Sequence, residues 1–386
     1  MLEYLVRDLI VHISIFQAVI LTVMVSNIVI LHRARRHTLL LEYPMVSVLV
    51  PARNEERNID RCIQSLLAQD YPAYEVLVLD DQSGDATLAI LERIASTQPA
   101  LQILQGTPPA AGQAGKNWAC VQLERAAQGD LLLFTDADTF HQPRALRTIV
   151  TALIGEKADL LTGFPRQEMY TWTERMLVPF FTWALICFSP LWLAYRVRLP
   201  ALSNAVGQMM LFRRESYQAI GGHASLGASI VDDLMLAKRI TAVGLRWRGV
   251  HIADLVACRM YSNSREAFSG FTKNFFAAFG FRLLPYLFVF IWLAVMFWAP
   301  LIVGTLSVFG GAAQARLSDL FICIGLSILL WSIPNREMGL PLGLGLLYPA
   351  TILANEVVAF QSLRLSLSGR LTWKERTLAR PKWTWL

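Results

Sequence analysis

Charge is what this 386-residue chain has least of: Asp, Glu, Lys and Arg make up 17% of it against 54% apolar residues. Mean hydropathy is +0.42, and residues 283 to 309 carry no charged side chain. Such a chain is a water-soluble domain flanked by membrane segments. Paired cysteines are missing too. Cys62, Cys120, Cys187, Cys258 and Cys323 show neither CxxC nor Cys/His spacing, which argues against a structural zinc site, and a reduced cytosolic face needs no disulfides from them. No long basic run occurs outside the membrane flanks, so the net charge of +6 fits contact with anionic lipid or phosphate and not with nucleic acid. Internal repeats and low-complexity tracts are absent as well.

The apolar runs come first among what is present. Leu9 to Leu31 is long enough to span a bilayer, too long for a signal-peptide core, and followed by no small-residue cleavage pattern. Arg33, Arg35 and Arg36 follow it and Arg7 alone precedes it, so residues 1–36 read as an anchor with its N-terminus outside and the next domain in the cytoplasm. Further apolar stretches lie at 283–309, 320–333 and 339–360, with Trp, Phe and Leu on every side, and residues 283–363 read as a C-terminal transmembrane region. The tail, 364–386, carries Arg364, Arg370, Lys374, Arg376, Arg380 and Lys382. Those charges belong inside, whereas three crossings would place them outside. With about 14 apolar residues against the ~20 required, 320–333 is expected to stop short of crossing.

Between the two regions, buried-strand runs alternate with helical patterns. MVSVLVPARNEE from Met45, YEVLVLDDQSGD, LQILQG and GDLLLFTDAD are strands, separated by RNIDRCIQSLLAQD, DATLAILERIAS and NWACVQLERAAQ as helices. This alternation predicts an α/β fold with a mostly parallel sheet, Rossmann-like in its connections.

Acids close three of those strands: Glu55 after the first, Asp80 and Asp81 after the second, Asp136 and Asp138 after the fourth. Parallel strands bring their C-terminal ends to one edge, where open sheets bind ligands. Singly, Glu55 reads equally as a helix-start acid and Asp81 as a turn residue. Together their repulsion must be offset, and a hard divalent cation between Asp136 and Asp138, itself holding a diphosphate, would do so. Asp232 and Asp233 form another pair in VDDLMLAKR, placed either as a catalytic couple or simply in the favourable first turn of a helix.

VPARNEE, VLDDQSGD, GKNWA, TDAD and VDDLMLAKR, in this order over residues 45 to 275, resemble the inverting family 2 glycosyltransferases of the GT-A fold. The resemblance implies that Glu55 and Asp81 contact the uridine of a UDP-sugar and that Lys116 lies near the base and diphosphate. It further implies that Asp138, helped by Asp136, takes Mg²⁺ or Mn²⁺, and that Asp233 is the general base. SNAVGQMMLFRRESYQAIGGH resembles the family's acceptor-side loop, with Gly207 and Gln208 near the sugar. His223 reads more readily as a loop histidine. Where many members carry QxxRW this chain has SREAFSGFTKNFF, leaving Lys273 or Arg265 to supply the missing positive charge. Without that motif, one sugar per acceptor is expected, not an extruded polymer.

Residues 175 to 198, RMLVPFFTWALICFSPLWLAYRVR, could pass for a membrane span. Crossing there would put Asp138 and Asp233 on opposite sides of the bilayer. An interfacial segment broken at Pro179 and Pro190, with Arg175, Arg196 and Arg198 at lipid headgroups, avoids this. GKNWAC with a trailing membrane bundle looks most like the carotenoid- and hopene-associated branch, of the chlorobactene glucosyltransferase type. The expectation is therefore a multi-pass protein of the inner (cytoplasmic) membrane that moves one sugar, glucose first, from a UDP-sugar to a hydroxyl of a membrane lipid. A carotenoid is the first acceptor considered, with hopanoid or ceramide as alternatives. A transporter with a regulatory nucleotide domain is the rival class, and it would need polar residues inside the spans, which hold almost none.

Overall fold

The computed structural model describes the chain except residues 1, 38–39, 41, 110–111, 228, 230, 310–314, 374–375 and 378–381. Lys374 and Arg380 of the tail lie outside the described residues. A long helix, α1 (Leu2–Arg33), precedes β1 (Val46–Ala52), α2 (Ile59–Leu67), β2 (Tyr74–Asp80), α3 (Thr87–Ala95), β3 (Leu101–Gln105), α4 (Gly115–Ala126) and β4 (Leu131–Phe134). There follow β5 (Thr139–His141), α5 (Ala145–Gly155), β6 (Leu160–Phe164), β7 (Arg166–Gln167) and three short helices, α6 (Trp172–Leu177), α7 (Pro179–Phe188) and α8 (Leu191–Val197). Next come β8 (Met210–Arg213), α9 (Arg214–Ala219), α10 (Asp232–Ala242), β9 (Trp247–His251) and β10 (Val256–Cys258), then α11 (Ser264–Ala278), α12 (Leu283–Val308), α13 (Leu317–Glu337) and α14 (Tyr348–Ser368). Two compact units result: Ile28–Glu168 with Leu191–Met260, built on the strands, and Met1–Asn27, Met169–Pro190 and Tyr261–Leu386, built on helices.

In the sheet unit the strand order is β3-β2-β1-β4-β8-β6-β9. The first four strands run parallel, β8 is antiparallel to both its neighbours, and β9 is parallel to β6. β1 is central and covered on both faces, which is why it reads VSVLV without alternation. Val48, Val50, Ile63, Leu133, Ile149 and Leu211 belong to one buried core around it. Pro51, a residue normally barred from a central strand, comes after the β1–β4 pairing has ended at Leu49↔Phe134, so no ladder bond to β4 is lost. The register places Ala52 opposite Asp80. Hence the polar residues that follow β1, β2 and β4 emerge along one edge, as the sequence predicts. A second sheet, β5-β10-β7, pairs Cys258 with Thr139 and so brings β10 beside the turn after β4.

Among the described residues four helices are long and apolar enough to cross a membrane when the 3₁₀ turns after α1 and before α14 are included: Val6–Arg36, Leu283–Val308, Leu317–Glu337 and Leu342–Ser368. The expected shortfall at 320–333 is overturned. α13 extends to 21 residues because helical hydrogen bonding continues into polar ends, Ser318 and Asp319 at one and Asn335 to Glu337 at the other, that a count of apolar residues leaves out. α13 runs antiparallel to α12, Leu320 lying against Gly304 and Trp331 against Phe297. The 3₁₀ turn Leu342–Leu347 then doubles back on α13, where Ser332 Oγ donates to the Leu342 carbonyl at 3.2 Å. α14 therefore starts beside the middle of α12, with the Tyr348 and Phe297 rings 5.6 Å apart. Its middle passes the start of α12, where Tyr286 Oη donates to the Ala359 carbonyl at 2.7 Å. The chain's end joins the same level, the Leu283 amide donating to the Thr384 carbonyl at 2.9 Å.

The apolar segment 175–198 breaks at one of its two prolines. Ser189, just before Pro190, is extended (φ −107°, ψ 94°) and ends α7. Val178 is helical (φ −62°, ψ −41°) and carries α6 into α7, with Pro179 at the first helical position, where a missing N–H costs nothing. The expected break at Pro179 is thus corrected. Trp183 of α7 is fully buried and stacks on Trp331 at 4.2 Å. Asn27 Nδ2 closes the end of the helix by donating to the Ile186 and Ser189 carbonyls at 2.7 and 2.8 Å.

Candidate active site

Asp136 and Asp138 sit in the turn after β4. Thr135 fixes that turn, its amide donating to the Leu49 carbonyl at 3.1 Å and its hydroxyl to the Gln208 carbonyl at 2.9 Å. Behind Asp138 runs a chain of neutral donors: Gln167 Nε2 to Gln208 Oε1 (2.8 Å), Gln208 Nε2 to Cys258 Sγ (3.0 Å), and the Cys258 thiol to Asp138 Oδ1 (3.3 Å). Burial, and then the charge of Asp138, push the thiol pKa well above its ordinary value, so Cys258 stays an S–H donor. Asp138 itself is pushed up to about 7, first by burial and then by the charges of Asp136 and Glu55. Hard carboxylate oxygens crowded by like charge suit a divalent ion.

Across from this turn stands Lys116, in the first turn of α4. Its Nζ lies 2.7 Å from Asp136 Oδ1 and 3.8 Å from Asp232 Oδ2. Asn117 anchors the same turn, its Nδ2 donating to the carbonyls of Gly227 and Ser229. Asp232 and Asp233 open α10, the position the helix dipole favours, yet their surroundings separate them. The Asp232 carboxyl is held below the usual carboxylate range, because Lys116 and His223 outweigh burial. Asp233 is raised to about 6, by burial and then by the charge on Asp232. Gly207 and Leu234 donate their amides to its two oxygens at 3.0 and 2.7 Å. A Cβ on Gly207 would sit 3.5 Å from Asp233 Oδ2 and 3.7 Å from Lys116 Nζ, in the space between base and cation.

His223 is 1% exposed. The Tyr217 hydroxyl accepts from the His223 amide at 3.0 Å, so its own proton points to His223 Nδ1 at 2.8 Å. That leaves Nε2 carrying the ring proton, 3.8 Å from Asp232 Oδ2. Gly222, at φ 48°, permits the arrangement, since a Cβ there would meet the Tyr217 ring at 2.4 Å.

The first two strand ends form the far side. Asp81 donates its amide to the Ala52 carbonyl at 2.8 Å, and Arg53 lies 3.6 Å from the Asp81 carboxylate. Glu55 receives Asn58 Nδ2 at 3.2 Å. The loops are laced together by Asn54 and Ser83, and by Glu56 with Asp85 and Ala86, while Asn54 and Gln82 take left-handed backbone, φ 53° and 57°.

Glu55, Asp81, Lys116, Asp136, Asp138, Gly207, Gln208 and Asp233 thus all belong to the sheet unit, whereas Lys273 and Arg265 lie on α11 in the helical unit. Sequence reasoning missed Cys258, because a lone cysteine with no spacing signal carries no hint that β10 pairs beside Asp138. It missed Arg53 and Tyr217 as well, and it read His223 as a loop residue although that side chain is buried against Asp232. Chemically, the edge offers a cation site, a fixed ammonium and a carboxylate poised to take a proton near neutral pH.

Residues 47–221 match the family model for glycosyl transferase family 2. The 4,4'-diaponeurosporenoate glycosyltransferases of Staphylococcus aureus strains USA300 and NCTC 8325 are each 27% identical over 249 residues, covering 63% of this chain. The chain spans 64% of the length of these relatives. Among solved structures it is similar to a mannosyltransferase from Pyrobaculum calidifontis in complex with GDP-Man and Mn²⁺, with a TM-score of 0.50, 19% identity, and coverage of 91% of this chain and 99% of that one. Sheet order, strand-end acids and these matches agree: the sheet unit has the GT-A fold, and residues 47–221 are similar to glycosyl transferase family 2.

Proposed function

We propose that this protein transfers a single sugar, glucose first, from a UDP-sugar to a hydroxyl of a membrane lipid, with a carotenoid as the leading acceptor and inversion at the sugar carbon. The observation that carries the reading is the meeting of Asp136 and Asp138, Lys116, and the Asp232–Asp233 pair at one sheet edge. In one displacement the acceptor oxygen bonds to the anomeric carbon, its proton passes to Asp233, and the bond to the diphosphate breaks. Asp138, with Asp136, would hold Mg²⁺ or Mn²⁺, which as a Lewis acid stabilises charge on the departing diphosphate. Lys116 adds a positive charge at the same place, and Glu55 and Asp81 receive the uridine. Gly207 serves by holding Asp233 and Gln208 by backing Asp138 through Cys258. Lys273 is assigned to the diphosphate in place of the missing arginine.

The Staphylococcus aureus relatives are named for a carotenoid-type acceptor, and the apolar helices give this chain a lipid environment in which to meet one. Hopanoids and ceramides are the alternative acceptors. Arg33, Arg35 and Arg36 argue for a cytoplasmic sheet unit. α14 returns to the level where α12 begins, which supports a tail on that same cytoplasmic side of the inner membrane and removes the conflict with its basic charge. Incubating the purified chain with radiolabelled UDP-glucose, Mn²⁺ and membrane lipid extracts should move label into the organic phase, and the labelled lipid identifies the acceptor class. No transfer from any sugar nucleotide would sink the proposal.

A further inference from the structure

The sheet unit carries a second polar concavity, distinct from the acid cluster. It is a shallow, open depression enclosing only about 10 Å³, lined by Tyr195, Arg198, Thr241, Arg246, Trp247 and Arg248. Three guanidinium groups share it. Arg248 lies over the Tyr195 ring at 4.3 Å, and the ring is fixed in turn because its hydroxyl accepts the Gly249 amide at 2.8 Å. Arg198, in a left-handed conformation at φ 51°, ends α8 and reaches the Gly244 carbonyl at 3.5 Å. The carboxylate facing the cleft is Glu156, 3.6 Å from Arg248, so positive charge is in excess. Burial lowers the Arg248 pKa, with a smaller push from Arg246 and Arg198, against the opposing pull of Glu156.

Exposed apolar residues flank these arginines in the chain. Trp192 is 52% exposed, Leu199 51% and Val243 56%. Trp192 and Arg196 share one face of α8, and Ala194, on the other side, is buried. An exposed tryptophan beside arginines is the composition of a bilayer interface, where the ring sits at headgroup depth and the guanidinium groups reach phosphate.

We propose that this cleft binds the phosphate of an anionic phospholipid headgroup, with Trp192 and Leu199 in the adjoining acyl boundary. Arg198 and Arg246 are the accessible contacts, and Arg248 on Tyr195 forms the floor. The inference is independent of the sugar chemistry, because none of these residues belongs to the acid cluster.

Native mass spectrometry of the full chain in detergent tests it, with phosphatidylglycerol, phosphatidylcholine or inorganic phosphate added in separate arms. The wild type should retain phosphatidylglycerol in preference to phosphatidylcholine. Arg198→Gln with Arg246→Gln should weaken that retention about thirtyfold, taking the usual contribution of each basic residue at an anionic surface. Arg93→Gln with Arg125→Gln, on the same unit, should leave it unchanged, and UDP affinity should be equal in all three proteins. Equal retention of both lipids, or unaltered phosphatidylglycerol binding in the Arg198/Arg246 double variant, would overturn the proposal. So would displacement of the lipid by millimolar inorganic phosphate, which would reassign the cleft to a soluble phosphate compound.

Discussion

Buried polarity is handled in opposite ways by the two units. In the helical unit the buried polar side chains are uncharged except Glu174, which accepts the Tyr170 amide at 2.8 Å at the start of α6, and several of them bond to neighbouring helices. Gln17 Nε2 donates to Ser327 Oγ at 2.8 Å, Asn27 to the end of α7, and Asn355 to the Met176 carbonyl at 3.0 Å. In the sheet unit two buried polar chains do not close on themselves. Gln167–Gln208–Cys258 ends at Asp138, and Tyr217–His223 ends at Asp232. One pattern holds helices together, and the other holds charges still while leaving their outer oxygens for something not part of the chain.

If that contrast is right, removing the end of a sheet-unit chain should damage function far more than stability. The largest effect is expected for Asp138→Asn: Mn²⁺-dependent binding of UDP-sugar, followed by calorimetry, should fall by more than about 100-fold, since one hard ligand and one charge are lost. Retention of metal-dependent binding would place the cation elsewhere. Asp233→Asn comes next. Donor affinity should change little while turnover falls by ~10²-fold or more, and an equal loss of UDP affinity would show that the base is misassigned.

The pH profile of the wild type sharpens the second prediction. Asp233 must be deprotonated to accept a proton, and its pKa stands at about 6. kcat/KM should therefore hold above that value and fall tenfold per pH unit below it. Asp232→Asn, by removing the neighbouring charge, should move this limb to lower pH, and an unmoved limb would detach it from the pair.

A smaller change is expected from His223→Ala, which unties Asp232 and with it Lys116. His223 Nε2 lies 3.8 Å from Asp232 Oδ2, a polar contact longer than a hydrogen bond and contributing about 1 kcal/mol, so the donor KM should rise roughly fivefold with kcat nearly constant. His223→Gln, whose amide can still donate, should recover part of the loss. If kcat collapses and KM does not move, the histidine acts in some other way. On the helical side, Asn27→Ala should lower the unfolding midpoint in detergent by the equivalent of about 1–3 kcal/mol and leave turnover per folded molecule unchanged. Lost turnover with an unchanged midpoint would break the contrast between the units.

Much of the sheet unit was legible because its signals are local. A buried parallel strand must be a short apolar run, and the acids that end it stay beside it in sequence as in space. The Asp136–Lys116 contact could be anticipated from motif order, but Cys258 could not. Its position depends on β10 pairing with β5 over a separation of more than a hundred residues, and a single thiol advertises nothing. His223 was hidden in the same way, since its tautomer is set by Tyr217 and a glycine backbone that composition does not reveal. In the helical unit, length was misjudged for α13 because polar residues extend a helix whose centre alone is apolar. The return of α14 was not legible at all, because a 3₁₀ turn of Leu and Gly looks like more membrane.

The division of the chain also imposes an order on its making. The sheet unit is complete once residue 260 has been synthesised, whereas the helical unit takes its first 27 residues, a middle piece, and everything from Tyr261 onward. Trp183 must await its stacking partner Trp331, and at ribosomal speeds those 331 − 183 = 148 intervening steps occupy roughly 7–30 s. Through that interval α7 has Asn27 of α1 and, later, Phe275 of α11 as neighbours, but the Trp183 ring still lacks its stacking partner. A chain halted near residue 260 would therefore present a finished catalytic edge tied to an unburied tryptophan helix, and it should be the species that aggregates or is degraded.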